Sequence, residues 1–226
     1  MWVIGHRGAR GLFPENTLTG FYQAVALGVD SIECDIRMSL DGELVVIHDA
    51  TLERTGGTPD RVDQLTVAAL KGIDVGGGER APILSEVLDA VGIPVLVEIK
   101  TGNCVPALAE LLIHNPPWIE RVVPISFDHR VIKALREEIP VLEAGIILAG
   151  VPVNVMAVIQ AAEVSRVSIN HEWVDPALVE SLHQAHIAVT VWTVNTPAEI
   201  ESAIANGVDG ITTNYPDRVL RVCGRA

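Results

Sequence analysis

The residues with the most chemical capacity in this chain stand at the ends of apolar runs. Trp2–His6 closes on His6 and Arg7, Asp30–Ile36 carries Glu33 and Asp35, and Pro94–Lys100 carries Glu98 and Lys100. Further on, Ala188–Thr193 holds Trp192, and Gly210–Thr213 leads into Asn214. Alternate side chains of an extended strand share a face, so Glu33 lies with Asp35 and Glu98 with Lys100. Three converging carboxylates repel one another, and burying them is costly unless positive charge compensates. An all-oxygen donor set suits one hard divalent cation, Mg2+ or Ca2+. With such an ion, and with Arg7 and Lys100 beside it, the cluster carries one net positive charge, which a phosphodiester would neutralise. His6 and His48 complete the set. An unperturbed imidazole titrates at about pH 6.5, so a pair supplies one acid and one base near neutrality. Phosphodiester cleavage needs both, because one proton leaves the nucleophile and another reaches the departing alkoxide. The cations stabilise charge on the phosphoryl oxygens.

These groups meet only if a scaffold brings the strand ends together. Eight short apolar runs read as strands: Trp2–His6, Asp30–Ile36, Pro94–Lys100, Arg121–Ser126, Ala144–Leu148, Arg166–Asn170, Ala188–Thr193 and Gly210–Thr213. Helical stretches alternate with them, and several carry start signals. Asp175-Pro176 and Thr196-Pro197 each set a capping side chain before proline at the first helical position. Near-continuous apolarity suits parallel strands buried on both faces. Strict alternation gives an α/β fold, and eight units favour a closed (β/α)8 TIM barrel, whose sites form at the C-terminal ends of its strands. An open doubly wound sheet is the alternative, but Gly5-His6-Arg7-Gly8 is not a dinucleotide fingerprint. One segment breaks the rhythm after strand two. Asp41-Gly42 signals a hairpin, Glu43–Ile47 reads as a returning strand, and residues 49–81 are polar, Gly-rich and loop-like around a short helix near Val67–Lys71. An excursion of that length is usually functional. No repeat or linker marks a second domain, so residues 1–226 are expected to form one domain with 49–81 as a small insertion.

Composition narrows the partners. The chain has 226 residues, with 29 acidic against 16 basic side chains and a formal charge of −13. That balance argues against a nucleic-acid or anionic-membrane surface, both of which need net basic charge. Hydrophobic residues make up 49%, which excludes intrinsic disorder. Cys34, Cys104 and Cys223 are too scattered for a disulfide framework or a zinc site. With no visible targeting segment, a cytoplasmic setting is expected. The apolar stretch from Ala144 to Ala162 is broken by Gly145, Gly150, Pro152 and Asn154, and it reads as strand, turn and helix, with no transmembrane segment. Cys34, between the two acids, is expected to face the helical layer as an inert thiol. Arg218, Arg221 and Arg225 are expected to complement a helix C-terminus.

The order of short motifs resembles the glycerophosphodiester phosphodiesterase family. They are His6-Arg7-Gly8, Pro14-Glu15-Asn16-Thr17, Glu33-Cys34-Asp35, His48-Asp49, Thr51-Leu52, Arg54-Thr55 and Glu98-Ile99-Lys100. Ser126-Phe127-Asp128, Trp192-Thr193-Val194-Asn195 and Gly207-Val208-Asp209-Gly210 follow, so the likeness spans about residues 3–220. The resemblance implies a barrel with the family's small insertion, and hydrolysis of glycerophosphodiesters to an alcohol and sn-glycerol 3-phosphate. It implies that Glu33, Asp35 and Glu98 hold the divalent metal, that His6 and His48 are the acid–base pair, and that Arg7 and Lys100 bind phosphate. It further implies that Glu15 and Asn16 shape the first loop and that Trp192 walls the glycerol side. The substrate's own glycerol hydroxyl would attack phosphorus first, through a cyclic phosphate. A lysophospholipase D activity is the alternative on the same scaffold, because Val151–Val155 and Trp173-Val174 follow strands five and six and could reach a lipid chain. A non-catalytic phosphate-binding barrel is the third reading.

Overall fold

A computed structural model describes residues 1–225. Nine strands form one sheet: β1 (Trp2–Gly5), β2 (Ser31–Met38), β3 (Leu44–Val46), β4 (Val95–Ile99), β5 (Val122–Ser126), β6 (Gly145–Leu148), β7 (Arg166–Asn170), β8 (Ala188–Trp192) and β9 (Gly210–Thr213). All but β3 are parallel to their neighbours, and β1 pairs with both β9 and β2, which closes an eight-stranded barrel. This is the expected (β/α)8 fold, with the expected strands displaced by a residue or two at their ends. The caps behave as their chemistry requires: Asp175 accepts from the N–H of Leu178, and Thr196 and Glu199 form a reciprocal capping box. The Ala144 to Ala162 stretch resolves into β6, a turn and the helix Val155–Ala162. Among the described residues no helix is long and apolar enough to cross a membrane.

Two apolar layers position the site. The larger one lies between barrel and helices and includes Cys34, Ile36, Val97, Leu108, Ile132 and Leu182. Cys34 thus faces the helices and is fully buried, and burial, with Glu33 and Asp35 on either side, pushes its thiol pKa up. The smaller layer plugs the barrel interior: Ile4, Leu96, Val123, Ile125 and Ile147 pack together beneath Trp192. These apolar side chains plug the barrel interior below the charged groups of the rim, and at the opposite end Arg166 is buried over the Trp2 ring.

The excursion after β2 is more ordered than its composition suggests. β3 returns antiparallel to β2, with Ile36 opposite Val46. Short helices at Glu53–Gly56 and Val67–Leu70 follow. A separate apolar cluster of Val45, Ile47, Leu52, Val62, Leu70, Val75 and Ala81 holds the segment together. That cluster begins before residue 49, because β3 belongs to the same packed unit. The single-turn elements at Glu53–Gly56 and Val62–Gln64 are too short for a periodic apolar pattern to announce them.

Arg221 stands in the last turn of the helix Pro216–Val222, and Arg225 Nη2 donates to the carbonyl of Gly28, the C-cap of the helix Leu18–Leu27, both as expected, whereas Arg218 Nη1 donates to the Asn195 carbonyl. Arg225 reaches across to Asp30, Nη1 to Oδ2 at 2.6 Å and Nη2 to Oδ1 at 2.9 Å, and Arg218 lies 3.8 Å over the Tyr215 ring. Asp30 also accepts from the Val3 N–H at 2.8 Å, so it ties the C-terminus to the first strand. Burial raises its carboxyl pKa, but Arg225 and the Val3 N–H outweigh burial and hold it below the usual value. A depressed carboxylate contributes stability above its unfolded pKa of about 3.9 and loses it as pH falls through the folded value. Asp30→Asn should therefore lower stability at pH 7 by about 1 kcal/mol. The deficit should shrink in thermal melts taken at successively lower pH below about 4.

Candidate active site

The loop after β1 is shaped by sterics. A Cβ on Gly5 would stand 2.1 Å from the Gly8 carbonyl oxygen, and one on Gly8 would stand 2.9 Å from the Gly20 backbone, at a φ of +87°. Only glycine fits both places. Arg7 and Asn16 take left-handed backbones, φ 50° and 55°, which non-glycine residues adopt only when held there. Hydrogen bonds hold them: the Asn16 N–H donates to the Arg7 carbonyl at 3.1 Å, and the Arg7 N–H donates to Glu33 Oε2 at 2.9 Å. The loop therefore curls over the carboxylates of β2.

Strand register brings the acids together. Asp35 on β2 lies directly opposite Glu98 on β4, and Glu33 sits two residues back on the same face. Ligand oxygens of Glu33, Asp35 and Glu98 lie within 4.8 Å of one another, and all three residues are buried. Glu33 Oε1 is buried without a hydrogen-bond partner. An orphaned carboxylate oxygen facing two further carboxylates fits a hard cation. Lys100 Nζ lies 2.8 Å from Asp35 Oδ1 and 2.5 Å from Glu98 Oε1, while Arg7 Nε lies 3.2 Å from Asp35 Oδ2. The Asn16 amide donates to that same Asp35 oxygen at 2.8 Å. The three acids consequently differ. Burial raises Asp35, but Lys100 and Arg7 overcome it and hold the carboxyl down at about 2. Burial and the charges of Asp35 and Glu98 push Glu33 well up. Glu98 is also raised by burial, against the pull of Lys100.

The histidines reach the rim from different elements. His6 follows β1 and contacts Asn214 through Nδ1 at 2.6 Å, leaving Nε2 3.9 Å from Glu33 Oε2. Burial, then the Arg7 charge, lowers its pKa to about 4, so the ring is neutral at pH 7. His48 follows β3. The neighbouring Ile47 N–H donates to the Asp35 carbonyl at 2.9 Å, and Arg37 Nε donates to the His48 carbonyl at 2.8 Å, which together hold the imidazole at the rim. His48 Nδ1 donates to Asp49 Oδ1 at 2.7 Å. Its pKa is lowered by burial, with the Asp35 charge and the Asp49 hydrogen bond opposing the fall.

These groups share one cavity of about 320 Å3. His6, Arg7, Glu33, His48, Glu98 and Lys100 line its charged half, and Ile125, Phe127, Ile147 and Trp192 its apolar half. Trp192 donates Nε1–H to the Ser168 carbonyl at 3.2 Å and meets the Phe127 ring edge to face, centroids 5.3 Å apart. Asp35, fully buried beneath the charged half, and Asn16 back the cavity. Glu15 stands behind it, accepting from Arg7 Nη1 at 2.9 Å and from both Nη atoms of Arg54. All ten site residues read from the sequence are thus near one rim, either lining the cavity or touching residues that do. Asn214, Asp49 and Arg54 were named in the sequence without a role, because what each does depends on a partner distant in the chain or on a ring's orientation. Arg10 and Ser168 also line the cavity or hold its wall, and no local signal marks either.

The model of the glycerophosphoryl diester phosphodiesterase family matches residues 6–218. A glycerophosphodiester phosphodiesterase of Caldanaerobacter subterraneus subsp. tengcongensis is 33% identical over 234 aligned positions, covering 97% of this chain and 96% of its own. Another, from Bacillus altitudinis, is 30% identical and covers 97% of each chain. In three dimensions, a phosphodiesterase of Oleispira antarctica, solved in complex with the product sn-glycerol-3-phosphate, gives a TM-score of 0.92 over 99% of this chain and 97% of that one. Its sequence identity is 22%, so the likeness is one of fold.

The crowding of carboxylates has a measurable consequence. A carboxyl whose folded pKa is raised favours folding most below its unfolded value and costs stability once ionised. Glu33→Gln keeps an acceptor for the Arg7 N–H and removes one of three repelling charges. Without added divalent ions it should melt higher than the unaltered protein, by about 1 kcal/mol at pH 7, the gap widening from pH 5 to pH 8. Added Mg2+ or Ca2+ should then raise the melting point of the unaltered protein more than that of Glu33→Gln.

Proposed function

This chain belongs to the glycerophosphoryl diester phosphodiesterase family, and on that premise we propose that it hydrolyses small glycerophosphodiesters to an alcohol and sn-glycerol 3-phosphate. The observation that carries this reading is the convergence of two imidazoles and three carboxylates on one cavity, each imidazole held through Nδ1 with Nε2 left free to exchange a proton. Glu33, Asp35 and Glu98 would hold one divalent cation, Mg2+ or Ca2+, which when bound supplies positive charge against the charge growing on the phosphoryl oxygens.

The two histidines then divide the work by their partners. His6 is paired with a neutral amide and is neutral at pH 7, so its Nε2 lone pair is the acceptor for the glycerol hydroxyl proton. That hydroxyl oxygen bonds to phosphorus as the ester bond to the alcohol breaks. His48 is the partner acid: Asp49 at Nδ1 opposes the burial that lowers its pKa, and Nε2 delivers the proton that the departing alkoxide takes up. Water opens the resulting cyclic phosphate with the two roles reversed. Arg7 and Lys100 hold the phosphate against the carboxylates. Trp192 and Phe127 offer the carbon face of glycerol an apolar wall, and Glu15 and Asn16 keep the first loop folded over Asp35. The substrate is a small molecule, and the acidic chain makes a poor nucleic-acid partner. Three free cysteines, two of them buried, suit a reducing, cytoplasmic compartment.

His6→Ala and His48→Ala should each lower kcat on glycerophosphocholine by ~100-fold or more while melting-point shifts with Mg2+ or Ca2+ persist. EDTA should abolish activity, and one of the two ions should restore it. Full activity in EDTA with no response to either ion overturns the reading. A second reading, lysophospholipid hydrolysis, is favoured by exposed apolar side chains on three successive rim loops: Phe127 after β5, Val151 and Val153 after β6, and Trp173 after β7. Comparing kcat/KM for glycerophosphocholine and lysophosphatidylcholine separates the two, and the first is expected to be the better substrate.

A further inference from the structure

Outside the reacting groups, the insertion's first helix sends one side chain back to the barrel. Arg54, on Glu53–Gly56, donates from Nε to Asp49 Oδ2 at 2.6 Å. Its two Nη atoms form a fork on Glu15, Nη1 to Oε2 at 2.9 Å and Nη2 to Oε1 at 2.7 Å. Glu15 accepts in turn from Arg7, and Arg10 Nε stands 3.5 Å from its other oxygen. Burial raises the Glu15 carboxyl pKa, but Arg54 and Arg7 bring it down to about 2, so the fork is held by a full negative charge. At the other end of the chain of bonds, Asp49 Oδ1 accepts a hydrogen bond from His48 Nδ1.

This arrangement decides more than where the insertion docks. An imidazole can carry its neutral-state proton on either nitrogen, and only the acceptor on one side fixes which. Asp49 can rotate away from His48, since its side chain is partly exposed and it neighbours His48 in sequence. Arg54 removes that freedom by gripping the second carboxylate oxygen while its fork is anchored across the cleft on the first loop. We infer that Arg54 is a positioning residue of the phosphodiester reaction: through Asp49 it keeps His48 protonated on Nδ1, with Nε2 turned into the cavity. Two elements remote in sequence, the loop at residue 15 and the insertion at residue 54, must both be folded for His48 to be set. The inference rests on the reading of His48 as a proton-transfer group.

A double-mutant cycle tests it on the metal-loaded enzyme with glycerophosphocholine. Arg54→Ala should lower kcat roughly 10- to 100-fold with little change in KM, as is common for groups that orient a reacting side chain. In a His48→Ala background the same substitution should cost less than about 2-fold, because the group it positions is gone. If the two losses multiply instead, Arg54 acts elsewhere and the inference fails. If His48→Ala alone leaves kcat intact, the underlying reading of His48 fails, which is a separate result. Nitrogen NMR of His48 gives a readout that simple docking of the insertion would not move. At a pH where the ring is neutral, the unaltered protein should show Nδ1 protonated, and Arg54→Ala should show a mixture of tautomers. A single unchanged tautomer in Arg54→Ala overturns the proposal. Should Arg54→Ala fold poorly, Asp49→Asn with Arg54 intact carries the same test, since it removes the carboxylate that links the two. Arg54→Lys, which keeps the charge but not the fork, should recover only part of the kcat.

Discussion

Three carboxylates share the inside of this barrel's rim within 4.8 Å, and nearly every other feature of the site answers to their charge. Uncompensated, such a cluster would not remain ionised or folded, because like charges in a low-dielectric setting each raise the cost of the next. Compensation comes from three directions. Lys100 rises from the end of the strand that carries Glu98, Arg7 leans in from the first loop, and Asn16 donates its amide to Asp35. What remains is asymmetric: Asp35 is held firmly ionised, while Glu33 is pushed upward with one oxygen lacking any partner. Crowded like charge of this kind works against the fold that bears it, a common relation at binding sites.

The same constraint explains the shape of the backbone around it. Arg7 and Asn16 adopt left-handed conformations in the loop where Gly5 and Gly8 leave room for tight folding. That loop exists to lay a main-chain N–H on Glu33 and a guanidinium on Asp35. The excursion after β2 solves a second problem, since a parallel barrel offers no strand end for His48 beside Asp35. An antiparallel return strand does: β3 runs back along β2, its last pairing sets Val46 against Ile36, and His48 follows two residues later. The small apolar cluster under the excursion gives this hairpin something to rest on.

The two histidines illustrate how neighbours differentiate chemically identical groups. Both hold a proton partner at Nδ1, but one partner is an amide and the other a carboxylate locked by an arginine. Burial and the Arg7 charge lower the His6 pKa to about 4, whereas at His48 the Asp35 charge and the Asp49 carboxylate oppose burial, so the two rings are unequal. The apolar half of the cavity, built on Trp192 and Phe127, gives it a wall without charge.

The sequence by itself determined the barrel and the chemical inventory. Eight apolar runs at helical spacing admit few topologies, and polar residues at the C-terminal ends of those runs must share a rim once the strands are parallel, because side-chain alternation is set by covalent geometry. Glu33, Asp35, Glu98, His6, Arg7 and Lys100 were legible for that reason, whereas His48 follows the antiparallel return strand and the hairpin's register sets it beside Asp35. Glu15, Asn16 and the assigned place of Trp192 were legible only through likeness to a family, since no period or spacing marks a loop residue. Tertiary structure alone decided which partner each group meets: Asn214 on His6 across 208 positions, Arg54 on Glu15 across 39, and Arg225 on Asp30 across 195. It also decided that the polar excursion has a core of its own. Contacts of that kind depend on how loops close and on electrostatic compensation summed over the whole rim, and no local pattern of residues encodes either.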